Sequence, residues 1–343
     1  MIDLHGRFDR VMRETVKEWK KNDNVVGVVV YGSFVTGSLT ASSDLDMCVI
    51  WDSSEAPVQL MAEQDGVLLD MSFATVSAVE DVIEGAPDDA FLIAEIIAKF
   101  RNARVVHDTD NKLKKWQSVA ADYVWSDNVI DIIKEKAEAE LSNASELVEK
   151  DDIVGAIHEL RSALFNIARA VLMKNNVFSI IKPAEVLSEV RMLDPMTYRL
   201  FLRLFKLKAL QEAELLTALD SIRHWLKIAE ERLGEVAPGA GLAPTAVRLA
   251  EAQRHYYGAM RLTIDSEYEL AVLEMRQTLS LLGRTLAETA GHRPSSDASA
   301  MSYIKQQEPE FYEKVLVEHG AFDLLPKAVK RGIGEARFIA QRV

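Results

Sequence analysis

Three aspartates in this chain stand where carboxylates need a reason. Asp44 and Asp46 open an apolar run, Ser43-Asp44-Leu45-Asp46-Met47-Cys48-Val49-Ile50-Trp51, and Asp70 interrupts the next one, Leu68-Leu69-Asp70-Met71. Alternate side chains of an extended strand share a face, so Asp44 and Asp46 can project side by side. Like charges that close are costly unless a cation holds them. The spacing therefore predicts a divalent-metal site at a strand, with Asp70 as a third carboxylate on the next strand. Just upstream, the apolar run Val25 to Tyr31 breaks at Gly32-Ser33. Gly32 permits a turn and the close approach of a ligand. Ser33 adds a hydroxyl and can lead a short helix, through about Leu39, whose first amides suit an anion.

These residues need elements to hold them. Phe8, Val11, Met12, Thr15, Val16 and Trp19 recur at helical spacing and predict an amphipathic helix over 6–20. The nearly continuous apolar character of 25–31 predicts a strand buried on both faces. In the second strand, 44–51, Leu45, Met47, Val49 and Trp51 form one face, while Asp44 and Asp46 share the other with Cys48 and Ile50. In the third, 66–73, Val67, Leu69, Met71 and Phe73 form one side and Asp70 stands on the other. A short helix is expected over 59–64, helices over 76–84 and 88–100, and an edge strand over 104–107. From Asn111 onward strand alternation almost disappears. Helices are expected over 111–122, 127–148, 152–174, 184–192, 195–210, 212–233, 245–257 and 265–290, then a polar loop over 291–299 and a helical tail from Met301. The organisation is an α/β unit over 1–110, a helical bundle over 111–234 and a further helical region over 245–343.

Charge is unevenly distributed. The formal net charge is -13, and residues 1–110 carry 20 Asp and Glu against 9 Lys and Arg, so nearly all the excess belongs to the α/β unit. Residues 22–98 hold 14 acids and no Lys, Arg or His. Such a surface repels a nucleic-acid backbone, and no long nucleic acid is expected as a partner. A phosphate bound there must be held by metal, backbone amides or side chains from elsewhere. No segment has an uncharged membrane-spanning length, and no signal peptide or membrane partner is expected. The one cysteine, Cys48, sits in an apolar strand pattern; it excludes a disulfide framework and fits a reducing, cytoplasmic location, with Cys48 as core.

The motif Tyr31-Gly32-Ser33-Phe34-Val35-Thr36-Gly37-Ser38, followed by Ser43-Asp44-Leu45-Asp46 and by Leu69-Asp70-Met71, resembles the DNA polymerase beta-type nucleotidyltransferase superfamily. The closer likeness is to the kanamycin and other aminoglycoside enzymes and to minimal nucleotidyltransferases that join this core to a helical domain. The motifs cover 25–73 and the domain-level likeness 1–110. The resemblance implies an α+β fold, a small mixed-sheet core followed by a large all-helical region. It also implies a divalent metal, Mg2+ or Mn2+, held by Asp44, Asp46 and Asp70, and transfer of a nucleoside monophosphate, AMP from ATP or the equivalent from another NTP, with release of pyrophosphate. Gly32 and Ser33 would cradle phosphates, Thr36, Gly37 and Ser38 would shape the phosphate loop, and Ser43 would orient the turn into the strand. Asp70 would complete a second metal site or accept the acceptor's hydroxyl proton.

The expected acceptor is a hydroxyl of an unidentified small molecule, for which a polycationic compound would complement the acidic unit. The alternatives are adenylyl transfer to a partner protein and a noncatalytic nucleotide-binding or interaction module. Because 22–98 lacks bases, positive charge for the triphosphate is expected from the helical part, with Arg161, Lys182, Arg199 and Arg203 as candidates. Arg161 and Arg169, eight residues apart on one helix, can face a cleft together, and Arg199, Arg203 and Lys206 form a basic stripe. A homodimer is compatible with the resemblance, in which subunits can share a cleft, although no interface heptad marks one. Arg248 and His255 match the Arg-x4-6-His spacing of HEPN-type helical domains, but Leu249 follows the Arg where that pattern favours a polar residue. A noncatalytic, substrate-binding helical part is expected instead.

Overall fold

The computed structural model describes residues 4–40, 43–57, 60–235, 243–295 and 297–343. Ser42, Gln59 and most of the linker expected over 234–244 lie outside them. The chain divides into two compact units, Met1–Val129 and Ile130–Val343.

The first unit is built on a five-stranded mixed sheet: β1 (Val25–Val30), β2 (Leu45–Trp51), β3 (Leu60–Gln64), β4 (Val67–Thr75) and β5 (Arg104–Asp108), in the order β3-β4-β2-β1-β5. Only β2 and β4 run parallel; the other neighbours are antiparallel. The central strands β1 and β2 are almost wholly buried, as their apolar runs require. On one face lies α1 (Leu4–Trp19), whose Phe8, Val11, Met12 and Val16 pack with Val28, Val30, Leu45, Met47, Val49, Leu69 and Met71. Each such side chain contributes roughly 1.5–3 kcal/mol by leaving water. At the end of α1 the Trp19 ring meets Trp51 and Phe73 edge to face, and its indole Nε1 donates to the Met71 sulfur at 3.2 Å.

The structure corrects one element. Residues 60–64 form the edge strand β3, where the sequence reading expects a helix. The cause is the turn: Asp65 and Gly66 both have positive φ, 50° and 71°, and Gln64 pairs with Val67, so a two-residue Asp-Gly hairpin fixes β3 antiparallel to β4. Its exposed Leu60 and Met61 hide the alternation expected of a half-buried strand.

Three helices complete the first unit: α3 (Val76–Ile83), α4 (Ala90–Arg101) and α5 (Lys112–Asp122), besides the one-turn α2 (Ser33–Thr36). Caps set their starts. The Thr75 hydroxyl accepts from the Ala78 amide, and the Asp89 carboxylate from the amides of Phe91 and Leu92. Asp108 accepts from the amides of Leu113 and Lys114 and so ties α5 to the end of β5. The Leu113 side chain packs on Gly27 of β1 so closely that a Cβ there would lie 2.3 Å from it. The helix expected over 111–122 thus belongs to the first compact unit.

The second unit is helical. It contains α6 (Asp127–Glu149, which begins just before the boundary), α7 (Ile153–Lys174), α8 (Pro183–Leu193), α9 (Pro195–Leu204), α10 (Glu212–Glu235), α11 (Ala243–Ile264), α12 (Tyr268–Thr289) and α13 (Asp297–Gln307). There follow α14 (Pro309–Phe311), a π-helical turn (Tyr312–Val317), α15 (Glu318–Gly320) and α16 (Pro326–Ala340). The helix expected over 195–210 stops at Leu204, and Lys206 in the next turn has a positive φ of 44°. The loop expected over 291–299 is shorter, because α13 starts at Asp297. Helix α7 is buried along nearly its whole length, its polar residues His158, Arg161 and Asn166 included. Among the described residues no helix is long and apolar enough to cross a membrane.

Candidate nucleotidyltransferase site

The parallel ladder between β2 and β4 builds the acidic cluster. Asp46 stands directly opposite Asp70, with Leu45 opposite Leu69 and Met47 opposite Met71. Leu45, Met47, Leu69 and Met71 point into the core beneath α1, so the aspartates must point to the other face. Asp44, two residues before Asp46, joins them. One carboxylate oxygen from each of Asp44, Asp46 and Asp70 can be chosen so that all three lie within 4.8 Å of one another, and all three side chains are half-buried. Farther along the same face of β2, Cys48 and Ile50 are fully buried, and burial pushes the Cys48 thiol up, which leaves it inert core.

The turn after β1 is fitted to this cluster. Gly32 has φ 73° and ψ -155°, and a Cβ placed on it would lie 2.0 Å from Asp46 Oδ2. The glycine is required twice over, by its backbone conformation and by the carboxylate seated against it. The Tyr31 amide donates to the Asp46 carbonyl at 3.1 Å, which locks the turn to β2. Gly32 O accepts from the amides of Val35 and Thr36 and from the Thr36 hydroxyl. Thr36 Oγ1 lies 2.9 Å from Ser38 Oγ, and Gly37, at φ 79° and ψ 11°, ends α2 in the left-handed conformation. Ser43 is likewise local: its hydroxyl accepts from the Thr40 amide at 2.9 Å, just before β2.

Ser33 is different. Its Oγ is buried and has no hydrogen-bond partner. Buried hydroxyls are ordinarily satisfied, and an orphan costs about 1–3 kcal/mol. A phosphate oxygen arriving at the turn would satisfy it.

Tyr31 and Ser72 extend the site beyond the residues the motif marks for a role. The Tyr31 hydroxyl lies 3.3 Å from Ser72 Oγ, which donates to the Met47 carbonyl at 3.2 Å. Burial pushes the Tyr31 phenol well up, and the nearby carboxylates of Asp46 and Asp70 add to the shift, so it stays protonated beside the acidic cluster. Ser72 follows Asp70 by two positions on the same strand face, and that alternation is the sequence signal that could have found it.

The hard oxygen donors match a small divalent cation such as Mg2+ or Mn2+, which takes one or two carboxylates and substrate phosphate oxygens. The glycine a Cβ would overfill and the orphaned serine hydroxyl fit a phosphate-bearing partner held against that ion. The residues present therefore suit a metal-nucleotide complex.

Of the basic residues singled out in the helical part, Arg161, Lys182, Arg203 and Lys206 have partners within the second unit. Arg161 is buried, and its guanidinium donates to the carbonyls of Leu204, Gly320 and Ala321. Lys182 pairs with Glu185 at 3.3 Å, Arg203 with Glu335, and Lys206 with both oxygens of Asp323 at 2.7 Å; Arg199 is exposed. Arg248 pairs with Glu288 and His255 with Glu274, so the Arg-x4-6-His spacing in α11 corresponds to two separate acid pairs.

Residues 14–99 match the family model described as "Polymerase beta, Nucleotidyltransferase", a span that contains four of the sheet's five strands, β1 to β4, the Gly32-Ser33 turn and all three aspartates. This part of the chain is a nucleotidyltransferase domain of the polymerase beta type. Among solved structures, a nucleotidyltransferase-like protein from Exiguobacterium sibiricum 255-15 is similar at 12% identity and a TM-score of 0.40, over 91% of this chain and 89% of that one. No curated protein matches the chain.

Proposed function

We propose that the first unit carries out metal-dependent transfer of a nucleoside monophosphate, AMP from ATP, to a hydroxyl of a small-molecule acceptor. The observation that carries this reading is the convergence of Asp44, Asp46 and Asp70 within 4.8 Å beside a glycine turn that holds an orphaned serine hydroxyl. A divalent ion bound by these carboxylates would neutralise and align the triphosphate. In the transfer, the acceptor oxygen bonds to the α-phosphorus while the bond to the α–β bridging oxygen breaks. Pyrophosphate leaves with that electron pair, and the acceptor's proton passes to the Asp70 carboxylate. Asp44 and Asp46 hold the cation, Ser33 donates its hydroxyl to a phosphate oxygen, and Gly32 keeps space open against Asp46. The absence of Lys, Arg and His from residues 22–98 favours an acceptor that brings its own positive charge, such as a polyamine-like or aminoglycoside-like compound.

Incubation with ATP labelled at the α-phosphate, Mg2+ and a panel of hydroxyl-bearing cationic acceptors tests the proposal. Label in a small product together with free pyrophosphate is the expected outcome. Label transferred to protein would shift the assignment to a macromolecular acceptor. Binding of Mg-ATP with no transfer to any acceptor would leave a nucleotide-binding module instead.

Ser33→Ala provides a separate check on the phosphate turn. Its hydroxyl makes no bond within the protein, so the variant should be as stable as the parent or slightly more so in thermal unfolding. Its KM for Mg-ATP should rise about tenfold, as expected for loss of one hydrogen bond to a charged oxygen. An unchanged KM would remove Ser33 from the phosphate site.

A further inference from the structure

The second unit contains a partly open cavity of about 170 Å³ between α7, α12 and the segment around Gly320. Three arginines line it: Arg161 and Arg169 from α7 and Arg276 from α12. Arg161 and Arg276 are only 7% and 6% exposed. A buried guanidinium normally sits against a carboxylate, because an unpaired buried charge costs several kcal/mol. Here neither Arg161 nor Arg276 has a carboxylate partner in a salt bridge among the described residues. Arg161 donates to backbone carbonyls, Arg169 to the Ile180 carbonyl and the Asn166 side chain, and Arg276 Nε to the His319 carbonyl at 3.3 Å.

The acids nearest in effect are already engaged. Asp323 is held by Lys206 through both oxygens, and Glu140 accepts from Ser162 and Asn166, each at 2.7 Å. The aromatic walls favour cations without neutralising them: the Arg161 guanidinium carbon lies 4.8 Å from the Phe205 ring centre and 4.9 Å from that of Phe322. Arg276 lines this cavity, and its Nη1 is buried and has no hydrogen-bond partner. Burial holds the Arg276 guanidinium down to about 9, as expected of a desolvated cation whose compensation is incomplete.

We infer that this cavity is a binding site for a small oxyanion of the phosphate type, received by Arg276 with the charge of Arg161 and Arg169 around it. Guanidinium groups present planar arrays of donors matched to such oxygens. The cavity is smaller than the roughly 300 Å³ at which sites for drug-sized ligands begin, so it takes an ion or the phosphoryl end of a ligand rather than a whole nucleotide. The site is independent of the aspartate cluster and does not rest on the activity proposed for it.

Calorimetric titration of the full-length chain tests this, in EDTA and in a D44N/D46N background, so that phosphate bound through the first unit is removed from the measurement. Orthophosphate, pyrophosphate and AMP are the probes, at about 0.15 M salt where surface attraction is screened. Saturable binding tighter than about 1 mM is expected for at least one. Comparable affinity for orthophosphate and AMP would identify a free-phosphate site; much tighter AMP binding would identify the phosphoryl end of a larger ligand. Arg276→Met, which keeps a long side chain and removes the charge, should weaken binding at least tenfold. Should that variant not fold, Gln277→Glu at the partly exposed rim places a repelling charge beside the cavity and should weaken binding about tenfold. No saturable binding by the D44N/D46N protein, or full affinity in a folded R276M or Q277E protein, would overturn the inference.

Discussion

Replacing Asp44 and Asp46 together by asparagine should reduce nucleotidyl transfer by at least about a thousandfold and at the same time leave the metal-free protein equally or more stable. Both signs follow from one arrangement. The two carboxylates and Asp70 lie within 4.8 Å of one another, in a stretch, residues 22–98, that holds no Lys, Arg or His. Without a cation they repel, and the shape-preserving amides remove that repulsion. With a cation, the charge that would align the triphosphate and counter the developing negative charge is lost, and losing even one such stabilising contact commonly costs 100- to 1,000-fold, about 2.7–4 kcal/mol. Thermal unfolding gives a decisive readout. With ATP present throughout, adding Mg2+ should raise the midpoint of the parent protein, as a ligand specific to the folded state must, and should leave that of the variant unmoved. A variant that retained the ligand-induced shift would place the ion elsewhere.

Gly32→Ala should be almost as damaging to activity, and unlike the aspartate changes it should also destabilise the first unit. The added methyl would sit 2.0 Å from Asp46 Oδ2, so the carboxylate must leave its position or the turn must open. The backbone at φ 73° and ψ -155° belongs to a region essentially reserved for glycine, which adds about 1–3 kcal/mol of strain. Gly37→Ala is the internal control. Gly37 also has a positive φ, 79°, but a Cβ there meets no atom within 4 Å. It should cost about 1 kcal/mol in stability and preserve Mg2+-dependent binding. Equal loss of nucleotide binding in the two variants would show that strain in the turn, and not the seat of Asp46, controls the site.

Much of the first unit was legible in the sequence because its signals are local. The alternation in Leu45 to Trp51 and Val67 to Phe73 puts the aspartates opposite the core face, and the register of Asp46 with Asp70 realises that geometry. The edge strand β3 was missed, although Asp65-Gly66 is a hairpin signal, because its side chains are largely exposed and its apolar residues do not alternate cleanly. The seating of Asp46 against Gly32 was invisible for another reason: closeness across a turn and a strand is a tertiary fact with no periodicity. In the helical part, spacing brought Arg161 and Arg169 to one helix face but could not supply Arg276, more than a hundred residues later. Nor could it show that Arg161 spends its donors on backbone carbonyls.

The parallel pairing of β2 with β4 makes the acidic cluster a reporter of folding. Its members come from strands separated by the β3 hairpin, so the ligand set does not exist until the chain has looped back and zipped the ladder in register. A slip of one residue would turn Asp70 toward α1 and bring Leu69 or Met71 to the cluster, because neighbouring side chains on a strand face opposite ways. An ion that needs all three oxygens would thus bind one alignment and ignore its nearest misalignments. Its binding energy becomes proofreading energy, spent on keeping the two strands in step as well as on holding a nucleotide.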